Sequence, residues 1–347
     1  MEYGGGEEAM IKVKDIIEFF STSVENGAAK SLDELMRTIP GYVHMHEQEG
    51  AEEMNWTMAQ EYYRICQKMC DDLLLVNVKH NNIICIANEY IAVPSGVNTN
   101  PAVHQHKLDT GFYDFKYKGF PYIYEHFKGS VVPIVGIKPN GNDDIGTAYY
   151  IGNNMFVTAA HCVTDMQKFK LLKVDESLKL KEVWFAKGQD TQYFDLAIIV
   201  IDDNFDTPSF DYWEPCVLDE VMVMGYPQIP NLYPVLTAET ASIGAYLKSA
   251  IGQVAGETIA YRSNLDSFLI TARVKGGNSG GPVINCTGQV VGTVVEIPFD
   301  SQRGSDTGRY DIMGYGICLP AKYTKDLMDN PDKCMLISEG DYFKFDV

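Results

Sequence analysis

Hydrophobic and polar residues alternate in two different ways along the chain, and the change falls near residue 95. Before it, apolar residues recur every three or four positions in IKVKDIIEFF, SLDELMRTI and WTMAQEYYRICQKMCDD, which predicts three helices. Ser31 stands three residues before Glu34, the spacing of a capping box at the start of the second helix. The apolar runs LLLVNV and IICIAN then flank the polar turn KHNN and predict a β-hairpin.

From residue 129 onward the apolar residues come in short runs that are rich in β-branched side chains. Gly, Asn, Asp or Pro separate these runs, as between the strands of an antiparallel sheet. Many short strands in succession are typical of a barrel or a pair of barrels, so we expect a mainly β chain. The runs are SVVPIVGI, GTAYYIG, MFVTAA, KEVWFA, DLAIIVI, EVMVMGYP, SFLITARV, GPVINC and QVVGTVVEI.

These patterns divide the chain into successive segments. The stretch between the helical part and the β part opens with Gly, Pro and Asn, as a linker does, and then becomes dense in aromatic residues that we expect to pack on a neighbouring domain. The predicted segments are 1–10, a disordered N-terminus; 11–95, a small α+β module; 96–128, an aromatic-rich connector; 129–325, the β domain; and 326–347, a C-terminal tail.

The α+β module resembles a winged-helix domain in the order of its elements, which is three helices followed by a hairpin. Winged helices commonly bind DNA, but residues 11–90 carry seven Lys and Arg against thirteen Asp and Glu. A surface that binds nucleic acid needs an excess of basic residues. The charges therefore favour a module that contacts a protein, such as an activating partner, over one that reads nucleic acid.

The charge of the whole chain also argues against anionic partners. Its formal net charge is -19 at pH 7, which repels polyphosphates and anionic membrane surfaces at long range. No run approaches the ~20 apolar residues of a membrane-spanning helix. The start MEYGGGEEAM lacks the basic residues and apolar stretch of a secretory signal. We expect a protein that binds no membrane and stays in the cytoplasm.

Cysteine and histidine usage predicts a reducing compartment and no cofactor. Eight cysteines lie along the chain without the spacing of a small disulfide scaffold. Several sit in apolar runs such as NIICIAN and YGICLP, where a free cysteine packs as a small hydrophobe. Two HxH pairs, His44 with His46 and His104 with His106, lack further ligands at suitable spacing. We interpret all four as surface histidines and expect no metal.

Three segments of the β region carry residues that work together in nucleophilic catalysis. VTAAHCV places His161 directly after a strand, YFDLAIIVI places Asp195 at the start of another, and GGNSGGPV places Ser279 in a glycine-rich loop. A serine hydroxyl becomes nucleophilic when an imidazole accepts its proton, and a carboxylate holds that imidazole in the right tautomer. We therefore predict these three residues as a catalytic triad. The N–H groups of Gly277 and Ser279 are the predicted oxyanion hole.

Residues 129 to 325 resemble the trypsin-like peptidase family, and within it the HtrA/Deg branch. GTAYYIGNNMFVTAAHCV is similar to the family segment that ends at the catalytic histidine, and VMVMGYP to a strand ending in a Gly-x-Pro turn. GQVVGTVVEI and YGICLPAKYTKDL look like the strands of the specificity pocket and the closing helix. The resemblance implies a double six-stranded β-barrel with His161 and Asp195 on one barrel and Ser279 on the other. No PDZ domain is expected after it.

Two departures from secreted trypsins concern activation and disulfides. Asn278 stands where zymogen-type members have an aspartate that pairs with an N-terminus released by cleavage, and an amide cannot form that ion pair. HtrA enzymes carry the same Asn-Ser, so the resemblance implies activation by loop rearrangement. Cys162 lacks the partner cysteine that secreted trypsins place in the preceding strand, which is consistent with a reducing compartment.

Substrate contacts are predicted at Arg273, Val294, Val295 and Glu296. Arg273 lies six residues before Ser279, near the position of the family's pocket floor. A guanidinium there would pair with an acidic residue before the scissile bond. The wall GTVVEI is apolar until Glu296. In the alternative readings, Arg273 pairs with Glu296 or points to solvent.

Three functions remain open on these observations. The first is an intracellular serine endopeptidase that cleaves protein substrates and is controlled or targeted by residues 11–95. The second is a winged-helix, nucleic-acid-binding regulator with an attached autoprocessing protease. The third is a pseudoprotease scaffold, which the intact triad disfavours.

Overall fold

The computed structural model separates into two compact units, Met1–Tyr122 and Ile123–Val347, and each is described by itself. The predicted disordered N-terminus and the linker-like start of the connector lie outside the described residues. The structure describes residues 12–26, 28–39, 52–93, 106–173, 176–186, 195–227, 247–260, 265–297, 314–329 and 334–338.

Three helices form one half of the first unit: α1 (Val13–Asn26), α2 (Leu32–Met36) and α3 (Glu52–Asp71). α1 buries Val13, Ile16 and Phe20 at the three- and four-residue spacing of an amphipathic helix. The capping box at the start of α2 is formed, because the hydroxyl of Ser31 accepts from the N–H of Glu34 and the Glu34 carboxylate accepts from the N–H of Ser31.

Three short strands complete the first unit: β1 (Lys30–Ser31), β2 (Leu75–Lys79) and β3 (Glu89–Ala92). They pair antiparallel in the order β1-β3-β2. The side chain of the buried Asn88 organises the loop between β2 and β3 by donating to the carbonyl oxygens of Asn81 and Cys85. Three helices and a hairpin occur in the predicted order, but the second strand of the hairpin is Glu89–Ala92 and not the predicted IICIAN, in which Cys85–Ala87 form a short 3-10 helix.

The aromatic half of the predicted connector is helical, with α4 at Phe112–Lys118 and α5 at Phe120–Phe127. Tyr113 and Tyr117 stack with ring centroids 6.2 Å apart and are part of the core of the first unit. The sequence predicted that these aromatic residues pack but assigned no helix to them. The spacing of Tyr113 and Tyr117 by four positions is the signal that places them on one helix face.

The first sheet of the second unit has eight strands, ordered β17-β9-β10-β6-β5-β4-β7-β8 and antiparallel throughout. Closing a barrel requires the two edge strands to pair. Within the described residues they do not pair, so this sheet is a half-barrel, and together with the closed barrel described next it matches the double-barrel architecture that the sequence predicted. The strands are β4 (Val131–Ile137), β5 (Asp143–Gly152), β6 (Met155–Thr158), β7 (Lys168–Lys173), β8 (Glu176–Ser177), β9 (Leu180–Ala186), β10 (Ala197–Ile201) and β17 (Cys334–Ser338).

The remaining six strands of this unit close into a barrel in the order β11-β12-β13-β16-β15-β14. Its interior is filled by buried Val, Ile and Phe side chains, among them Val223, Phe268 and Val294. The predicted six-stranded second barrel is therefore confirmed. Its strands are β11 (Glu220–Gly225), β12 (Lys248–Ala260), β13 (Leu265–Ile270), β14 (Pro282–Asn285), β15 (Val290–Glu296) and β16 (Gly316–Pro320).

The predicted C-terminal tail, residues 326–347, contributes to the fold. α7 (Ala321–Asp329) continues into it, and β17 pairs with β9 from Cys334 opposite Ala186 onward. Tertiary pairing with an available sheet edge gives this segment a structure that its short apolar run, CMLIS, does not predict alone. No helix in the described part of the chain is long and apolar enough to cross a membrane.

Candidate active site

Strand pairing brings His161 and Asp195 together. β6 ends at Thr158 and leads into a one-turn helix, α6 (His161–Thr164), whereas Asp195 stands just before β10. The two strands are antiparallel neighbours, with Ala197 opposite Thr158. The residue that follows one strand and the residue that precedes the other therefore lie at the same edge of the sheet.

The carboxylate of Asp195 holds His161 at two points. Its Oδ1 accepts from the backbone N–H of His161 at 2.9 Å, and its Oδ2 lies 2.7 Å from the ring Nδ1. A nitrogen facing a carboxylate at this distance carries the proton, so Nε2 is the ring nitrogen left to accept one. One carboxylate thus fixes the place, the orientation and the tautomer of the imidazole.

Two opposing effects act on the pKa of His161. Burial disfavours the imidazolium and lowers the pKa. The hydrogen bond and charge of Asp195, together with the neighbouring Cys162, favour the imidazolium by more and raise the pKa to about 11. The imidazolium that forms when this histidine accepts a proton is therefore strongly stabilised.

Ser279 follows a tight turn formed by residues 275–278. The N–H of Asn278 donates to the carbonyl oxygen of Lys275 at 3.0 Å, and Gly277, the third residue of the turn, has φ +96°. A positive φ at this position is what a type II turn requires, and glycine adopts it without strain. The turn sets the direction of the peptide group between Gly276 and Gly277, whose N–H belongs to the predicted oxyanion hole.

Gly280 is required by close packing as well as by backbone conformation. Its φ is +84°, and a Cβ placed there would lie 2.1 Å from the carbonyl oxygen of Thr147 and 2.2 Å from the hydroxyl of Thr158. Its N–H donates to the carbonyl oxygen of Val294 at 2.7 Å. The backbone that follows Ser279 is thus pressed against the first sheet and tied to β15.

Thr147, on β5, holds the residues on both sides of Asn278. Its hydroxyl donates to the carbonyl oxygen of Gly277 at 2.6 Å and accepts from the N–H of Tyr226 at 3.0 Å. Its own N–H donates to the carbonyl oxygen of Ser279 at 2.9 Å. The sequence prediction missed this residue, although it lies in the motif GTAYY that carried part of the family resemblance.

Cys162 joins the histidine segment to the serine loop. It is buried and follows His161 directly, and its Sγ donates to the carbonyl oxygen of Ser279 at 3.4 Å. Cys162 forms no disulfide, and neither do Cys66, Cys70, Cys85, Cys216 and Cys318. The sequence prediction noted that Cys162 lacks a disulfide partner but gave it no role in the site.

The predicted substrate-binding residues divide into two groups. Val294 and Val295 are buried on β15, where the N–H of Val294 donates to the carbonyl oxygen of Gly281 at 3.0 Å, and Glu296 ends the strand. Arg273 is exposed and lines a pocket of about 270 Å³ that none of those three residues lines. Across the described residues, no ion pair joins Arg273 to Glu296. The first alternative reading of Arg273 is therefore not observed.

We call the pocket that contains Arg273 the cationic pocket. Its lining residues are Val223, Pro227, Lys248, Ser249, Ala250, Arg273, Lys275 and Asn278.

Of the two HxH pairs, His44, His46 and His104 lie outside the described residues, and His106 begins a helical turn in the first unit. Where the structure describes the chain, no three His, Cys, Asp or Glu side chains converge as metal ligands would. The candidate chemistry therefore rests on His161, Asp195 and Ser279.

Comparison with protein families finds a match to the trypsin-like peptidase domain over residues 146–292. Protease Do-like 2, chloroplastic, of Arabidopsis thaliana is 26% identical over 163 residues, which are 44% of this chain and 24% of that protein. A probable periplasmic serine endoprotease DegP-like of Rhizobium meliloti (strain 1021) is 29% identical over 200 residues, 56% of this chain and 34% of that protein. The chain thus spans between a quarter and a third of the length of these relatives.

Solved structures give similarities at lower identity. The active form of the Rv3671c protease from M. tuberculosis covers 68% of this chain and 86% of its own, with 20% identity and a TM-score of 0.44. The HtrA-type protease AlgW with tripeptide covers 60% of this chain and 62% of its own, with 17% identity and a TM-score of 0.45.

Proposed function

We propose that this chain, which carries a trypsin-like serine peptidase domain of the HtrA branch, is an endopeptidase that cleaves protein substrates through His161, Asp195 and Ser279. The observation that carries the proposal is the pair of hydrogen bonds that the Asp195 carboxylate accepts from the backbone N–H and the ring Nδ1–H of His161. It leaves Nε2 as the proton acceptor that the chemistry of a serine nucleophile requires.

In the proposed mechanism the Ser279 hydroxyl attacks the carbonyl carbon of the scissile peptide, and Nε2 of His161 takes the hydroxyl proton. Asp195 stays ionised and stabilises the imidazolium. The N–H groups of Gly277 and Ser279 bind the negatively charged oxygen of the tetrahedral intermediate. His161 then gives its proton to the leaving amine, and water hydrolyses the acyl-enzyme with the same histidine as base.

The test of this function is labelling by a fluorophosphonate, which reacts with an activated serine. The full chain is expected to be labelled at Ser279, to cleave casein, and to lose both properties in Ser279→Ala. Ser209→Ala, which removes an exposed serine of the same unit, is the matched control and should keep both. Labelling of Ser279→Ala as fast as the unchanged chain would overturn the assignment.

The proposal extends to control of the peptidase by the first unit inside a reducing, intracellular compartment. Free thiols support the compartment. Apolar side chains exposed on and beside the hairpin of the first unit support a protein-binding role, because exposed apolar clusters commonly mark contact surfaces. They are Leu73, Val76, Val78, Ile83 and Ile84. A tethered unit acts at high effective concentration, so even weak contacts suffice for control.

A truncated chain separates control from delivery. It must keep α5, because Phe127 stacks on Phe210 with ring centroids 4.1 Å apart in the second unit, so the chain should begin at Phe120. Cleavage of a short peptide several-fold faster than by the full chain would support inhibition by the first unit. Equal rates would overturn inhibition and favour delivery to the substrate.

A further inference from the structure

The cationic pocket concentrates positive charge in a strongly acidic protein. Lys248, Arg273 and Lys275 all line it, whereas the chain as a whole carries a formal net charge of -19. No Asp or Glu is among the described lining residues. Arg273 and Lys275 have no ion pair within the described part of the chain. A small cavity walled by these two side chains repels further cations and attracts an anion.

The same pocket adjoins the turn that precedes Ser279. Asn278 lines the pocket, is 5% exposed, and closes the turn through its hydrogen bond to Lys275. Its carbonyl oxygen also accepts from the N–H of Gly281 at 2.9 Å. Two of the four turn residues are therefore walls of the pocket, so a ligand bound there contacts the segment that presents Gly277 and Ser279.

Asn278 leaves the positive charge of the pocket available to a ligand. An aspartate at this position would itself offset the charge of Arg273 or Lys275, whereas a neutral amide offers hydrogen bonds and no charge. The rest of the lining is partly apolar, with Val223, Pro227 and Ala250. Cations beside apolar walls fit a carboxylate on a short aliphatic stem, as in a glutamate side chain.

We propose that the cationic pocket binds a carboxylate of an acidic peptide segment, and that its occupation stabilises the turn at residues 275–278 and raises peptidase activity. The binding of a carboxylate does not depend on the proposed function, whereas the effect on activity rests on it. A bound carboxylate offsets the mutual repulsion of Arg273 and Lys275. A ligand that prefers one arrangement of the turn shifts the population toward it by its difference in affinity.

Calorimetric titration tests the binding part on the full-length Ser279→Ala chain. The probe is the blocked tetrapeptide acetyl-Gly-Glu-Glu-Gly-amide, with its Gln-Gln counterpart as the neutral comparison. The Glu peptide should bind about tenfold or more tightly than the Gln peptide. Lys275→Gln should lower that affinity about tenfold, since a charge-assisted hydrogen bond is lost. Lys325→Gln, which removes an exposed lysine elsewhere on the same unit, should leave it unchanged.

Three results would overturn the binding part. Equal affinity for the two peptides would show that charge is not recognised. An equal loss in Lys275→Gln and Lys325→Gln would show only a general effect of net charge. If inorganic phosphate bound as tightly as the Glu peptide at matched ionic strength, the ligand of the pocket would be a free anion and not a peptide carboxylate.

Kinetics on the unchanged chain test the coupling to activity. With a neutral chromogenic peptide as substrate, the Glu peptide should raise kcat several-fold, and Lys275→Gln should reduce that gain. Competitive inhibition, seen as a higher KM with the same kcat, would overturn the proposal and place the peptide in the substrate cleft. A chain without any hydrolysis would refute the proposed function, and the calorimetric result would still decide whether the pocket binds a carboxylate.

Discussion

The half-barrel and the closed barrel keep their catalytic residues in position by different means. On the half-barrel, His161 is fixed by a side chain, since one carboxylate bonds both its backbone and its ring. On the closed-barrel side, the segment around Ser279 is fixed through its backbone, by glycines and by bonds to carbonyl oxygens. A base needs a defined tautomer, which a charge supplies, whereas an oxyanion hole needs defined peptide directions, which turn geometry supplies.

The largest expected effect comes from removing the carboxylate of Asp195 that holds His161. In Asp195→Asn the amide still fills the space, but it favours the wrong tautomer of His161, and kcat should fall by about 10⁴. Steady-state kinetics on a peptide substrate measure this loss. Asp206→Asn removes an exposed carboxylate of the same unit and should have no comparable effect. A loss below tenfold in Asp195→Asn would contradict the role given to this residue.

Disturbing the backbone beside Ser279 should lower both the stability and the activity of the protein. In Gly280→Ala the new Cβ would overlap the Thr147 carbonyl oxygen, and the positive φ would be strained. We expect a Tm lower by roughly 5–15 °C and weak labelling by a fluorophosphonate. Gly276→Ala is the matched control, because a Cβ there meets no atom within 4 Å. Equal Tm values for the two variants, read by thermal unfolding, would refute the packing argument.

Thr147→Val tests the contact between the half-barrel and the backbone around Ser279. We expect a smaller effect than that of the two preceding substitutions. Thr147→Val removes the hydroxyl that bonds Gly277 and Tyr226, and so deprives one buried carbonyl group and one partly buried N–H group of this partner. Each such group costs about 1–3 kcal/mol, so kcat should fall by roughly 10–100-fold while KM changes little. Thr147→Ser keeps the hydroxyl and should recover most of the rate. Equal rates for Val and Ser would show that the hydroxyl plays no part.

The smallest expected effects are on the pH dependence of stability and of the rate. Because the pKa of His161 is raised to about 11, its contribution to stability is fully present below pH 6.5 and is lost as pH rises through 11. The Tm difference between the unchanged chain and His161→Gln should therefore shrink over this range. The rate should rise with pH, since the base is the neutral imidazole.

Cys162→Ala should shift the alkaline rise in rate toward lower pH, because a neighbouring group that raises the pKa of His161 is removed. A pH profile of kcat/KM for both chains measures the shift. Cys318→Ala, which removes a buried free thiol of the closed barrel, is the control for a general packing effect. An unchanged midpoint in Cys162→Ala would rule out the thiol as a determinant of this pKa.

The elements with a strong local signal were predictable, and the contacts between them were not. The capping box at Ser31 and the closed-barrel strands β11, β13, β14 and β15 follow from period and turn residues, whereas β12, in which Gly252 and Gly256 interrupt the alternation, was not predicted. Thr147 carries no such signal, because its role depends on a hydrogen bond to Gly277, 130 residues away. The aromatic spacing at residues 112–127 is helical, but the Gly- and Pro-rich start of the segment suggested a connector. The prediction of Arg273 as a substrate contact rests on its distance from Ser279 in sequence, and it stays a prediction.

The pairing of β17 with β9 has a consequence for the order of events during synthesis. Cys334 lies opposite Ala186, so the pair closes a loop of roughly 150 residues. At about 5–20 residues per second, a ribosome needs roughly 8–30 s to make that interval. During this time one edge of β9 offers unpaired N–H and C=O groups to any other nascent strand. The half-barrel is therefore completed only after every strand of the closed barrel has been made, and aggregation is most to be expected in that interval.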